Sequence, residues 1–330
     1  MKYSLMLAVV SIAWNSSVHA QIRFGDTTIG FATVEEGQRL LTAQDDFVRR
    51  MSPFDRAARM KTDRDVSEAE FLQFVGQNVL PWEDEDREKI TACLEGVNAK
   101  LEELSLPFPK QVTLIKTSGK EEGRAAYTRG SAIVIPENFM NMPAKRLQRI
   151  ICHELFHILS RANSDLREML YAAIGFEKCD EVEFPAALKS RKITNPDAPR
   201  NDHCIRIKVG EEEVWAVPIL FSNIEKYDTK RGGEFINYLQ FQFLLVERVA
   251  DGTAVKSIDE GGQPKLVDMR QVSGFFDQVG KNTSYVFHPE EILAENFALL
   301  VLREPDLVSP EIVEEMEGIL GGAENKPSVE

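Results

Sequence analysis

The chain has 330 residues, enough for one large domain or two modest ones with a packed core. Its 53 acidic against 39 basic residues give a formal net charge of −14. That balance argues against nucleic acid and against anionic membrane surfaces as partners.

Met1–Ala20 reads as a secretory leader, with Lys2 at the start, an apolar run Leu5–Trp14, and small residues at Val18-His19-Ala20. The apolar run is too short to span a bilayer. The expected product is an exported protein, periplasmic or secreted, without stable membrane insertion once the leader is removed. After export disulfides are permitted. Four cysteines, Cys93, Cys152, Cys179 and Cys204, allow three full pairings. Cys179 and Cys204 bracket the polar loop Asp180–His203 and form the candidate disulfide. Cys152 reads as a small core residue.

Residues 21–110 are expected to be mainly helical. Val66–Val79 carries Phe71, Leu72, Phe74 and Val75 at helical spacing, and Pro81 follows. Glu83–Leu104 places Ile90, Cys93, Leu94, Val97 and Leu101 on one stripe. Its acidic start, Glu83 to Asp86, suits the positive end of a helix dipole.

In residues 111–161 the period changes. Val112–Lys116, Arg124–Tyr127 and Ser131–Ile135 read as strands, the last two flanking Arg129-Gly130. Pro143 then opens a helix that runs to about Arg161. Residues 162–286 read as a mixed, strand-rich insertion. It holds a helix at Asp165–Ile174, a Pro/Asn-rich loop at residues 194–199, and strands at Cys204–Val209, Glu213–Phe221 and Phe235–Val249. Asn282-Thr283-Ser284 matches a glycosylation acceptor, a frequent pattern. Residues 287–330 supply a helix at Glu290–Leu302 and a last amphipathic helix after Ser309-Pro310.

The most specific string is His153-Glu154-Leu155-Phe156-His157, inside the apolar run Leu147–Leu159. Residues i and i+4 share a helix face, so both imidazoles can grip one metal ion while Glu154 reaches a bound water. A third protein ligand must come from elsewhere. Ile158 to Ser164 contains neither the glycine nor the histidine of the metzincin extension. Glu291 and Glu295 lie four apart on the downstream helix and therefore share a face. One can ligate the metal while the other holds a histidine through its free ring N–H. Glu290 reads as a solvated first-turn charge.

With these two features, His153-Glu154-x-x-His157 and Pro289-x-Glu291-x-x-Ala294-Glu295, the chain resembles the gluzincin class of zinc metallopeptidases, which includes thermolysin. The resemblance covers about Val112–Arg161 and His288–Leu302. It implies an α+β fold with a zincin-like core, one Zn2+ held by His153, His157 and Glu291, Glu295 as supporter or alternative ligand, and Glu154 as general base. It also implies a peptide or protein substrate, laid along Arg124–Tyr127 or Ser131–Ile135 as an added strand. His288 is expected to cap the second helix or to support a ligand, and Tyr285 is the candidate oxyanion donor. Tyr171 reads equally as core, and His203, beside Cys204 in a polar loop, as a surface residue. The alternative function is an exported, non-catalytic binding or scaffold protein that keeps this fold. The intact Glu154 is the residue such a protein would not need.

Overall fold

The computed structural model describes residues 22–249, 252–261 and 263–322. The expected leader lies outside them. Among the described residues no helix is long and apolar enough to cross a membrane.

The chain is α+β, with two main sheets. Residues 21–110 open on two strands, β1 (Ile22–Phe24) and β2 (Thr27–Phe31), before the helices begin. These are α1 (Val34–Leu41), α2 (Asp46–Arg50), α3 (Pro53–Arg59), α4 (Glu68–Gln77) and α5 (Asp84–Leu104), with a short β3 (Val79–Leu80) between the last two. Local chemistry fixes their starts. Thr33, Asp45, Ser52 and Ser67 each accept a hydrogen bond from the first turn of the helix that follows, and Thr33 and Ser67 complete capping boxes with Glu36 and Glu70.

Next come β4 (Gln111–Thr117), β5 (Tyr127–Arg129), β6 (Ala132–Pro136), α6 (Ala144–Ala162) and α7 (Ser164–Ala173). The first sheet runs β1-β2-β4-β6-β5, parallel at β2–β4 and β4–β6 and antiparallel at its two ends. Helices cover both faces. Leu114, Ile133 and Ile135 join the core of α5 and α6, whereas Ile115, Ala132 and Val134 pack under α1 to α4. Every residue of β6 is therefore buried, and its run Ala132-Ile133-Val134-Ile135-Pro136 shows no polar alternation.

This arrangement corrects the substrate strand. Ser131–Ile135 lies mostly in β6, between β4 and β5, and offers no free edge. The edge is β5, displaced toward Arg129 from the Arg124–Tyr127 reading, because Arg124 adopts a left-handed turn with φ 68°.

The middle segment builds the second, seven-stranded sheet. After β7 (Phe176–Lys178) and the short helix α8 (Ala186–Lys189) come β8 (His203–Val209), β9 (Glu212–Ser222) and β10 (Leu239–Arg248), all antiparallel neighbours. The expected strand Phe235–Val249 differs at its start, where Phe235–Tyr238 forms a 3-10 turn opened by Glu234. Helices α9 (Phe276–Val279), α10 (Pro289–Leu302) and α11 (Pro310–Gly322) close the fold. Asn282 is tied into it. Its amide donates to Asn296 Oδ1 at 2.8 Å and to Ser309 O at 2.6 Å, and Ser309 N donates back to its Oδ1. That use of the side chain removes it as a glycosylation acceptor.

All four cysteines are buried free thiols. The disulfide expected between Cys179 and Cys204 is absent. The two meet as thiols where Cys179 leaves β7 beside β8, in the core that also holds Val217, Ile219 and Leu244, and Cys179 shares a hydrogen bond with Cys204 that pushes the Cys179 thiol up.

The N-terminal helices do more than cover a sheet face. Arg59 is fully buried between the carboxylates of Asp55 and Glu122, with 2.6 Å from Nη2 to Glu122 Oε1, and stacks 4.0 Å above the Phe235 ring. The same trio holds the loop after α8: Thr194 N donates to Asp55 Oδ2 at 2.9 Å, and Arg59 Nη2 donates to Thr194 O at 3.1 Å. Removing one member of such a network strands the others in low dielectric. Arg59→Ala should therefore lower the unfolding free energy by about 3–5 kcal/mol, read from urea denaturation. A loss below about 1 kcal/mol, the size of an exposed pair, would contradict the burial.

Candidate metal centre

Helix α6 carries the HExxH string, and burial rather than a cap fixes it. Pro143 precedes it without any side-chain capping bond. Leu147, Ile151, Leu155, Phe156, Ile158 and Leu159 are all buried against α5, α10 and the first sheet. Each such side chain stabilises by about 1.5–3 kcal/mol, well above the tenths that separate intrinsic helix propensities. The face left over carries His153 and His157, whose ring centroids lie 4.7 Å apart.

Helix α10 faces them. His288 stands at its N-cap in extended backbone, its Nδ1 accepting from Glu290 N at 3.1 Å, and Pro289 fills the first helical position. Burial pushes the His288 imidazole down to about 4, which keeps it neutral and able to accept. That cap sets the rotation of α10. Glu291 Oε2 then lies 3.1 Å from His153 Nε2 and 3.8 Å from His157 Nε2. Ligand atoms of His153, His157 and Glu291 lie within 4.8 Å of one another, a group that could hold a metal ion.

The other ring nitrogens also meet carboxylates. Glu295 Oε1 lies 3.1 Å from His153 Nδ1, and its second oxygen accepts from Arg149 at 2.7 Å. Glu290 Oε1 lies 3.0 Å from His157 Nδ1. In each ring, then, Nδ1 has an acceptor that favours an N–H there and leaves the Nε2 lone pair toward Glu291.

The centre leaves two polar atoms without protein partners although both are buried: His157 Nε2 and Glu154 Oε2. Such orphans cost free energy unless something satisfies them. A cation at the three ligand atoms would satisfy His157, and a water beside it would satisfy Glu154. The residues present therefore fit a divalent metal.

The charges agree with that fit. Burial alone would raise the Glu291 carboxyl, but a protonated His157 and the bond from His153 hold it at about 2; a bound metal ion would take the place of that imidazole proton. Burial, and then the nearby Asp197 charge, push Glu154 upward instead. A carboxylate with a raised pKa accepts a proton more readily.

Glu290 requires a correction. It is 3 % exposed rather than solvated, and it accepts from Ser160 Oγ at 2.7 Å and from the Tyr171 hydroxyl as well as facing His157. Tyr171 is accordingly a core residue with its hydroxyl committed to this carboxylate. His203 requires another. It is 4 % exposed, with Asp202 Oδ1 2.8 Å from Nδ1, Glu168 Oε2 2.9 Å from Nε2, and its ring 4.6 Å from Tyr171. The alternation His203, Ile205, Ile207, all buried along β8, is the signal that a strand begun at Cys204 leaves out.

Tyr285 stands beside the centre, its ring centroid 6.2 Å from that of His153. The ring is 41 % exposed, so the Glu291 charge rather than burial is what keeps it above the ordinary phenol value, and it remains an O–H donor.

Two residues of the loop after α8 also reach the centre. Asn195 Nδ2 donates to Glu291 Oε1. Asp197 offers an oxygen within 4.8 Å of ligand atoms of both Glu154 and His157. Nothing in a Pro/Asn-rich loop distinguishes these contacts from ordinary turn chemistry; Asn195 indeed also forms a local turn, accepting from Asp197 N at 3.0 Å.

No known protein family, curated protein or solved structure matches the chain.

Proposed function

We propose that the protein is an exported zinc-dependent peptidase of the gluzincin type, with a zincin-like core. The observation that carries this reading is the convergence of His153, His157 and Glu291, beside a buried Glu154 oxygen that has no protein partner. Two nitrogens and a carboxylate oxygen with one position left open suit catalytic zinc. A zinc ion bound there would polarise the scissile carbonyl and acidify a water.

The remaining steps belong to the chain. Glu154 accepts a proton from the attacking water and delivers it to the leaving nitrogen as the C–N bond breaks. Tyr285, held as a phenol, donates toward the oxygen on which negative charge develops. Glu295 and Glu290 hold the two imidazoles in one tautomer and orientation. Asn195 fixes the outer oxygen of Glu291.

The test is hydrolysis of short peptides by the purified protein, with metal content measured alongside. About one zinc per chain is expected, with cleavage lost on chelation and restored by zinc. A protein that binds zinc and hydrolyses none of a broad peptide set would favour the scaffold alternative.

A further inference from the structure

Among the described residues the outer edge of the first sheet near the metal centre is β5, and the fold closes most of it. In an antiparallel pair, alternate residues turn N–H and C=O away from the partner strand. In this three-residue strand that residue is Thr128, and its N–H donates to Asp197 Oδ1 at 2.7 Å. Its hydroxyl donates to the same oxygen. Two residues on, the Gly130 carbonyl accepts from Arg161 Nη1 at 2.7 Å. An added strand can therefore pair with the edge at Ala126 and no further along. The closing residue Asp197 also borders the catalytic group, within 4.8 Å of Glu154 and His157.

Asp197 closes the edge with one carboxyl oxygen and leaves the other without a protein donor. Oδ1 takes both Thr128 donors, and among the described residues no hydrogen bond or ion pair reaches Oδ2. Arg161 donates instead to the Asp197 main-chain carbonyl at 3.2 Å and to Thr128 Oγ1 at 2.8 Å. Glu154, Glu291 and Asp197 thus bring three carboxylates to one opening. Carboxyl groups crowded in this way favour a positively charged guest beside them.

Beside Asp197 lies a cavity of about 110 Å³, walled mainly by apolar groups such as Ala126, Tyr127, Phe235, Leu239 and Phe287, with the Arg59 and Glu122 ion pair and Tyr285 also on its wall. It is large enough for one apolar side chain. Antiparallel pairing is the commoner way for strands to meet, and an antiparallel peptide on β5 points its N-terminus toward Thr128 and Asp197. Blocked edge, open carboxyl oxygen and mainly apolar cavity thus lie where the first residue of a peptide would sit.

We infer that the site is built for peptides with a free α-amino group and an apolar first residue: Asp197 receives the ammonium, the cavity receives the side chain, and the first peptide bond is the one presented to Glu154. This rests on the peptidase reading and narrows it to release of N-terminal residues. Asp197 is the residue that sets this specificity.

Two probes test it. The peptide Leu-Ala-Ala-Phe-amide and its N-acetyl form are offered to wild type and to Asp197→Asn. Wild type should release leucine from the free peptide and cleave the acetylated one at least about 100-fold less efficiently. Asp197→Asn should lower kcat/KM for the free peptide by about 10- to 100-fold, the effect of a lost charged hydrogen bond, chiefly through KM, and so shrink the preference for the free over the acetylated peptide by about that factor. Separately, leucinol, which has the amine and side chain but no bond to cleave, should bind wild type at least about tenfold more tightly than N-acetyl-leucinol in calorimetry. Equal cleavage of both peptides, or cleavage at an internal bond, would overturn the inference. So would faster cleavage of the acetylated peptide by Asp197→Asn, which would make the loop a plug over an endopeptidase cleft. If neither peptide is cleaved, the peptidase reading fails, and the leucinol pair still decides whether an amine site exists.

Discussion

Glu154→Gln is expected to lower peptide hydrolysis by about 10²–10⁴-fold, the usual contribution of a positioned general base, while leaving the metal in place. The substitution keeps shape and volume but removes the ability to take a proton. Glu154 lies outside the His153, His157 and Glu291 group, although with His157 and Asp197 it forms a second group that could hold an ion, and its Oε2 is buried without a protein partner. Stability should move the other way. Glu154 is 4 % exposed, and burial raises its carboxyl, so the anionic form is disfavoured in the fold. A neutral amide of the same size avoids that cost. The sign follows from linkage: an acid whose pKa is higher folded than unfolded destabilises the fold as pH rises above the unfolded value, and the amide does not. Urea unfolding of the metal-free proteins at pH 8 should therefore show Glu154→Gln at least as stable as wild type. Undiminished hydrolysis would exclude Glu154 as the base. Loss of bound metal would instead make Glu154 a ligand.

The parts of this centre that could be read from the sequence are those fixed by helical period. His153 and His157, and Glu291 and Glu295, are spaced so that each pair shares a face wherever its helix packs. The cap at His288-Pro289 is equally local, and His288 does stand at the N-cap of α10. Glu290 was not readable, because a first-turn acid beside solvent and one buried under α6 and α7 have the same sequence. Only the packing of α6 against α10 decides between them. The edge strand failed for a related reason. A strand covered on both faces loses its alternation, so the period of β6 does not tell whether it lies inside the sheet or at its edge; its pairing with both β4 and β5 does. Asn195 and Asp197 depend on contacts between residues far apart in the chain, anchored through Thr194 to Asp55 and Arg59. Sequence period carries no trace of such contacts.

The division of labour between the two acidic residues of α10 predicts the other large effect. Glu291→Ala should bring bound metal below detection at micromolar protein, whereas Glu295→Ala should retain it and weaken affinity by about 10- to 100-fold, the cost typical of losing a residue that orients a ligand. The tautomers decide which is which. An imidazole offers one nitrogen to a metal and keeps a proton on the other. Glu291 stands at Nε2 of both rings, 3.1 and 3.8 Å away, on the side where His157 Nε2 has no other partner. Glu295 stands at Nδ1 of His153, matching Glu290 at Nδ1 of His157. If Glu295 were the ligand, His153 would have to turn Nδ1 to the metal, while the buried His157 kept Nε2 toward Glu291. Metal titration of both variants against wild type, monitored by a chromophoric chelator, separates the cases. Metal lost in Glu295→Ala and retained in Glu291→Ala would reverse the two roles. Full occupancy in both would place the ion elsewhere, and the Glu154 carboxylate would then have no reason to sit where it does.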